Sequence, residues 1–184
     1  MNLTDLPGNL PVPIDDGSAN HLSGMLMPDI SFIATDNQDV SFKQLEGFVV
    51  IYIYPMTGQP DVPLPNGWDD IPGARGCTPQ SCGFRDHHNE LEELNAQVFG
   101  LSSQKTSYQL EAKERLHLPF ELLSDAQLAL KDLLQLPTFT AAGMELYKRI
   151  TLVVKDGVIV KTFYPIFPPG SNAEEVLSWL RSNA

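Results

Sequence analysis

The chain has 184 residues, with 12 Lys and Arg against 23 Asp and Glu and a net charge of -11. This acidity argues against a general nucleic-acid surface, which needs clustered cations. Two cysteines are too few for a disulfide-built secreted scaffold, no apolar run is long enough to span a bilayer, and no signal-peptide pattern is apparent. We therefore expect one soluble, cytoplasmic domain without nucleic-acid or membrane partners.

The first part of the chain predicts an extended leader over residues 1–28, because it is rich in Pro, Gly, Asn and Asp and lacks helix or strand periodicity. The main domain is predicted at residues 29–184. It opens with a β-hairpin of two short strands, Ile30–Ala34 and Val40–Phe42. The continuously apolar run Phe48–Tyr54 is typical of a central strand covered on both faces.

Beyond this strand, a Pro- and Gly-rich insertion loop over residues 56–76 is long for a connection inside a compact domain. Thr78 followed by Pro79 predicts a helix start, and apolar residues at helical spacing extend the helix to Leu94. Strands and helices then alternate, which implies parallel strands joined by crossovers. These elements are a strand Val98–Leu101, a helix Ser107–Leu116, a strand Phe120–Leu123 and a helix Leu128–Leu134.

The end of the chain predicts a hairpin and a closing helix. Asp156-Gly157 lies between the β-type runs Ile150–Val154 and Val158–Phe163, and an Asp-Gly pair there is a strong hairpin signal. Ser171 and Glu174 fit a capping box before an amphipathic helix. The elements together predict an α/β fold with a central mixed β-sheet flanked by helices.

The two cysteines, Cys77 and Cys82, form the stretch most informative about chemistry. Cys77 lies at the predicted helix start, where unpaired N–H groups and a partial positive charge favour a thiolate. Residues five apart in a helix have Cα atoms roughly 8 to 9 Å apart, beyond the ~7 Å limit of a disulfide. A bond between the two sulfurs would therefore require the helix to unwind. From spacing alone, a redox switch and a small buried cysteine are equally good interpretations of Cys82.

A metal site is the other chemistry that this stretch suggests, because Cys77, Cys82, His87 and His88 offer sulfur and nitrogen ligands. One helix cannot aim all four side chains at a single ion, so solvated or core-edge positions explain the histidines better. We expect neither a metal nor an organic cofactor.

Arg85 has two interpretations, a structural ion pair and a direct role at the site.

Several separated motifs of the chain agree with one known pattern. Tyr54-Pro55 ends the central strand, Gly76-Cys77-Thr78 precedes the second cysteine, and Phe84-Arg85-Asp86 follows it. Downstream, the run from Lys148 to Gly157 holds an arginine before a hairpin. These motifs resemble the atypical two-cysteine peroxiredoxins of the bacterioferritin-comigratory, or Q-type, subgroup, and the resemblance extends from about residue 30 to the C-terminus. It implies a thioredoxin-like fold with the N-terminal hairpin as an extension.

The resemblance also implies a thiol-dependent peroxidase that reduces hydrogen peroxide or organic hydroperoxides. Cys77 would be the peroxidatic cysteine and form a sulfenic acid, which Cys82 would resolve as an intramolecular disulfide. Thioredoxin or a similar dithiol would reduce that disulfide. Arg149 would stabilise the thiolate and the peroxide, and Pro55 would shield the pocket. We expect a monomer or a weak homodimer.

Two other functions remain open at this point. A thiol–disulfide oxidoreductase on the same fold would ordinarily have its cysteines two residues apart. A metal-binding or redox-sensing thioredoxin-like protein would bind metal without peroxide turnover.

The chain departs from the Q-type pattern just before Cys77. Ala74 stands where the pattern has Thr or Ser, and the insertion loop separates Pro55 from the cysteine. Thr57 is the candidate for the hydroxyl donor. Gln80 occupies a position where the subgroup commonly has Glu. The insertion loop is interpreted as a lid that shapes substrate access or as a surface loop.

Overall fold

The computed structural model describes residues 2–184, and this part of the chain contains nine strands and five α-helices. The strands are β1 (Phe32–Ala34), β2 (Asp39–Val40), β3 (Phe48–Ile53), β4 (Ala96–Ser102), β5 (Leu122–Ser124), β6 (Thr138–Ala141), β7 (Met144–Tyr147), β8 (Ile150–Lys155) and β9 (Val158–Phe163). The helices are α1 (Cys77–Asp86), α2 (His88–Glu93), α3 (Thr106–Leu116), α4 (Ala129–Leu134) and α5 (Asn172–Asn183). Two short 3₁₀ helices span Trp68–Asp70 and Pro169–Ser171.

Seven of the strands form one mixed sheet in the order β2-β1-β5-β4-β3-β8-β9. β4 pairs in parallel with both β3 and β5, whereas β8 pairs antiparallel with β3 and β9. The β1–β2 hairpin joins the sheet beside β5. The predicted mixed sheet, its flanking helices and its N-terminal hairpin are confirmed.

Every residue of β3 is buried, because both faces of the sheet are covered. Phe48, Val50 and Tyr52 pack in a cluster with apolar residues of α1, α3 and α5. The alternate residues Val49 and Ile51 pack in a second cluster, which includes side chains of α4 and of the leader. This alternation is the period of two that a strand requires. It places α1 and α5 on the same face of the sheet, where the start of α1 meets the start of α5.

Two predicted helix boundaries are wrong. α1 begins at Cys77 with Gly76 as its N-cap, so Thr78 is inside the helix and is not its cap. The predicted helix from Thr78 to Leu94 is two helices, because the backbone at His87 has φ of -100° and ψ of 7° and leaves the helical conformation.

The predicted capping box at α5 is also wrong. The hydroxyl of Ser171 donates to the carbonyl oxygen of Pro168 at 3.0 Å, and it makes no hydrogen bond to a backbone N–H of the helix. Ser171 does not cap α5 with its side chain because it is the last residue of the 3₁₀ helix and already has helical backbone angles.

The sequence does not predict the separate β6–β7 hairpin, whose apolar residues pack against the insertion loop. None of the helices in residues 2–184 combines the length and the apolar character that crossing a membrane requires.

Candidate active site

Cys77 is the first residue of α1, and only 3% of its surface is exposed. Gly76 before it has φ of 112°, a conformation that residues with a Cβ rarely adopt. A Cβ at Gly76 would also lie 2.5 Å from Cγ of Pro169. Glycine at this position therefore lets the first turn of α1 pack directly against the 3₁₀ helix at Pro169.

The side chain of Arg149 lies beside the sulfur of Cys77. Arg149 directly precedes β8, next to the central strand, and is 4% exposed. Its Nη2 lies 3.2 Å from Sγ of Cys77 and 3.1 to 3.3 Å from the carbonyl oxygens of residues 73–75. A guanidinium at this distance can donate a charge-assisted hydrogen bond to a thiolate. The structure thus joins two residues that are 72 positions apart in the sequence.

Gln80 and Asn172 hold the other side of the guanidinium. Gln80 is buried and accepts a hydrogen bond from Nη1 of Arg149, while its Nε2 donates to Oδ1 of Asn172 at 3.0 Å. The hydroxyl of Thr151 donates to the same Oδ1 at 2.7 Å. We call these four buried residues, Arg149, Gln80, Asn172 and Thr151, the polar floor.

The polar floor contains no carboxylate, and no ion pair within residues 2–184 includes Arg149. A buried cation is costly unless an anion neutralises it. Cys77 is the acidic group at hydrogen-bond distance from the guanidinium, so its thiolate can supply that negative charge.

Pro55 and Thr57 follow the end of β3, and both are buried. The hydroxyl of Thr57 donates to Oε1 of Gln104 at 3.2 Å, and Gln104 also bonds to the backbone N–H and carbonyl of Thr57. Within residues 2–184, no hydrogen bond joins this hydroxyl to Cys77. The structure therefore brings Arg149 to the sulfur but directs the hydroxyl of Thr57 to Gln104.

Cys82 is half-buried on the same helix, and both thiols are free. Burial raises the pKa of the Cys82 thiol above its ordinary value, although the nearby charge of Arg85 opposes this shift. Arg85 forms an ion pair with Asp86 at 2.9 Å and donates to the carbonyl oxygen of Leu116, which matches its structural interpretation. Because α1 is continuous from Cys77 to Asp86, the sulfurs are on an intact helix.

The remaining space beside Cys77 has a volume of about 10 Å³. Its lining includes the side chain of Arg75 and four apolar side chains, which we call the apolar cover: Leu3 from the leader and Met56, Leu64 and Trp68 from the insertion loop. The insertion loop thus lies over the cysteine. Leu3 carries no sequence signal for such a position, because nothing in its local pattern shows that it lines a space beside a distant residue.

The two histidines near the cysteines have carboxylate neighbours. Nδ1 of His87 lies 2.7 Å from Oε1 of Glu90, and Nδ1 of His88 lies 3.7 Å from Oε2 of Glu92. Across residues 2–184, no three His, Cys, Asp or Glu side chains are grouped so that they could hold a metal ion.

Comparisons with known protein families and structures agree with the geometry of the site. The redoxin family profile matches residues 22–177. Peroxiredoxin Q, chloroplastic, of Oryza sativa subsp. japonica is 29% identical over 163 residues, which is 86% of this chain and 66% of that protein. Peroxiredoxin Bcp of Bacillus subtilis (strain 168) is 27% identical over 143 residues, or 75% of this chain and 82% of the relative. The crystal structure of peroxidoxin BcpB from Mycobacterium tuberculosis matches with a TM-score of 0.72 and 24% identity, over 89% of this chain and 99% of that one.

The thioredoxin-like fold expected from the sequence is confirmed by the mycobacterial structure. Because the profile covers most of its length, the chain belongs to the redoxin family. Its similarity within that family is to the Q-type, or Bcp, peroxiredoxins, as the motifs around the cysteines predict. The chain spans about two thirds of the length of the rice relative.

Proposed function

We propose that this protein is a thiol-dependent peroxidase with Cys77 as its peroxidatic cysteine. The observation that carries the proposal is the 3.2 Å distance between Nη2 of Arg149 and Sγ of Cys77. The thiolate is the nucleophilic form of cysteine, and a guanidinium without a carboxylate partner favours it. The same guanidinium has several donors, so it can also stabilise negative charge on the oxygens of a bound peroxide.

In the first step, the Cys77 thiolate attacks one oxygen of the peroxide. A sulfur–oxygen bond forms as the oxygen–oxygen bond breaks, and the other oxygen leaves as hydroxide or alkoxide and takes up a proton. The sulfur is oxidised to a sulfenic acid, and the peroxide is reduced to water or an alcohol.

In the second step, Cys82 attacks the sulfenic sulfur, which forms an intramolecular disulfide and releases water. α1 has to unwind first, because a helix holds residues five apart too far from each other for a disulfide. Burial raises the pKa of the Cys82 thiol, so this residue stays protonated while Cys77 reacts. Thioredoxin or a similar dithiol then reduces the disulfide, becomes oxidised itself and restores both thiols.

The working form in this proposal is a monomer or a weak homodimer in the cytoplasm. The proposed site residues Cys77, Cys82 and Arg149 all come from one chain, so the proposed mechanism does not require a second subunit. The low cysteine content suits a reducing compartment. Sedimentation velocity over a range of concentrations tests the oligomeric state, and cell fractionation tests the location.

Two serine variants test the catalytic assignment. Cys77→Ser should lose peroxide reduction, whereas Cys82→Ser should form one sulfenate per chain but fail to recycle with thioredoxin. If Cys77→Ser keeps full peroxidase activity, the assignment is wrong. Metal analysis of the reduced protein distinguishes the alternative, since near-stoichiometric metal without peroxide turnover would indicate a metal-binding protein.

A further inference from the structure

The space beside Cys77 is too small for a peroxide in this conformation. Its volume is about 10 Å³, and a cavity needs at least about 10 to 15 Å³ to hold even one water molecule. Hydrogen peroxide is larger than water, and organic hydroperoxides are larger still. Part of the lining of this space must therefore move before a peroxide can reach the sulfur.

The insertion-loop part of the cover is firmly held. Trp68 is 3% exposed and packs in a small core with Ala74, Ala141 and Leu146, two of which belong to the β6–β7 hairpin. The backbone beside Met56 is fixed as well, because Gln104 bonds to both backbone groups of Thr57 and Arg115 donates to the carbonyl oxygen of Gly58 at 2.9 Å.

The leader part of the cover is loosely fastened. Between residues 2 and 15, the only hydrogen bond to the described chain beyond the leader runs from Nη2 of Arg75 to the carbonyl oxygen of Asn2, at 3.4 Å. Val12 and Ile14 in the same segment are 61% and 84% exposed. Leu3 is nevertheless only 8% exposed, so apolar contact holds it at the site together with this single long hydrogen bond of its neighbour Asn2.

The next firm anchor of the leader lies at Asp16. Its carboxylate accepts hydrogen bonds from Nζ of Lys148 and the hydroxyl of Tyr164, each at 2.9 Å. Residues 2–15 therefore make no backbone hydrogen bond to the sheet that would have to break if they moved. Leu3 also lies outside the residues that the redoxin profile matches.

We propose that Leu3 is a displaceable plug that determines which peroxides reach Cys77. This inference rests on the proposed peroxidase function. A small displacement of the Leu3 side chain admits hydrogen peroxide, whereas a bulky organic hydroperoxide requires its complete removal. Leu3 thus selects against large substrates.

The first measurement is accessibility, which does not depend on peroxidase activity. In the Cys82→Ser background, where Cys77 is the remaining thiol, the rate of alkylation by iodoacetamide is compared between the parent and Leu3→Ala. We expect the variant to react about tenfold faster, because removing most of a buried Leu side chain weakens the closed state by roughly that factor. A deletion of residues 2–5 should react at least as fast as Leu3→Ala, and Leu3→Met should restore the slow rate.

Ile14→Ala is the matched control, because it shortens an aliphatic side chain of the same leader that is already 84% exposed. It should leave the alkylation rate unchanged. If Leu3→Ala and the deletion both react no faster than this control, Leu3 is not a plug.

The second measurement follows the formation of the Cys77 sulfenate with hydrogen peroxide and with cumene hydroperoxide. Leu3→Ala should increase the rate with cumene hydroperoxide more than the rate with hydrogen peroxide. An equal gain for both would overturn the role of Leu3 in selection. Faster alkylation without oxidation by either peroxide would support the plug and refute the peroxidase function, so the two failures are distinguishable.

Discussion

The polar floor and the apolar cover both lie near Cys77 but are built in different ways. The polar floor comes from α1, α5 and the β8 region, and each of its side chains is buried and bonded to a neighbour. The apolar cover comes from a leader that one hydrogen bond ties to the rest of the described chain and from a loop that packs in a small core. In the proposed function, the reactivity of Cys77 therefore depends on rigid core elements, whereas access to it depends on the loosely fastened leader.

The two regions should also respond differently when one of their side chains is removed. A buried hydrogen-bond network is costly when one member is left unsatisfied, so a single change in the polar floor should affect the whole network. Apolar contact has no preferred direction and scales with area, so the cover can open by degrees. The following predictions test this contrast, from the largest expected effect to the smallest.

Arg149→Ala should lower the rate of Cys77 oxidation by about 100-fold or more, the scale of losing one preorganised donor in an active site. The thiolate would lose its hydrogen-bond donor, and the carbonyls of residues 73–75 would lose theirs. Stopped-flow measurement of sulfenate formation checks this. Arg181→Ala, which removes an exposed arginine, is the control and should keep the parental rate. A loss below about threefold for Arg149→Ala would show that the polar floor does not determine reactivity.

Trp68→Ala should reduce the free energy of unfolding by about 3 to 5 kcal/mol, as expected for truncating a buried tryptophan. Trp68 is 3% exposed and anchors the insertion loop on the β6–β7 hairpin. Urea denaturation measures the loss. Trp179→Ala removes a partly buried tryptophan of α5 and should cost less. If the two losses were equal, the insertion loop would not be the firmly held part of the cover.

Gln80→Glu should slow the reaction of Cys77 with peroxide by about tenfold. The new carboxylate would pair with Arg149 and compete with the thiolate for the guanidinium. The second-order rate constant for oxidation at neutral pH is the readout. Gln97→Glu adds the same charge at an exposed position of β4 and should have no effect. An unchanged rate in Gln80→Glu would mean that the neutrality of the polar floor is unimportant.

The smallest expected effect is a shift in the pH dependence of the alkylation of Cys82. Because burial raises the pKa of Cys82, less of this residue is thiolate at neutral pH in the folded chain than in the unfolded chain. In a Cys77→Ser variant, alkylation of Cys82 should therefore rise with pH, with a midpoint above that of the same variant in urea. A midpoint at or below the unfolded value would contradict the shift.

Much of the fold could be predicted because its signals are local. The continuous apolar run of β3 predicts a strand covered on both faces, and the structure buries all six residues. Asp156 and Gly157 both have positive φ in the turn between β8 and β9, as the Asp-Gly signal indicates. By contrast, β6 and β7 pack against Trp68 of the insertion loop. That contact depends on a distant segment, and no local pattern predicts it.

The site was predictable to a similar extent. The spacing of Cys77 and Cys82 and the motif at Arg149 identify residues for thiol chemistry, and the structure places Arg149 on the sulfur. Thr57 could not be placed in advance, because its hydrogen-bond partner, Gln104, lies 47 positions away. The sequence indicates Gln80 only weakly, as a polar residue about one turn after a cysteine. Its contact with Arg149 depends on the fold and could not be predicted from the sequence.

The sequence by itself determined the candidate residues for thiol chemistry, since two cysteines near a helix start and an arginine in a motif are features of the local sequence. The tertiary structure alone decided what surrounds them. It brought Arg149 to Cys77, left the guanidinium without a carboxylate, and placed Leu3 in the lining of the space beside the sulfur. The reason is physical, because desolvation and hydrogen bonding between distant segments arise only when the chain packs, and they depend on three-dimensional neighbours.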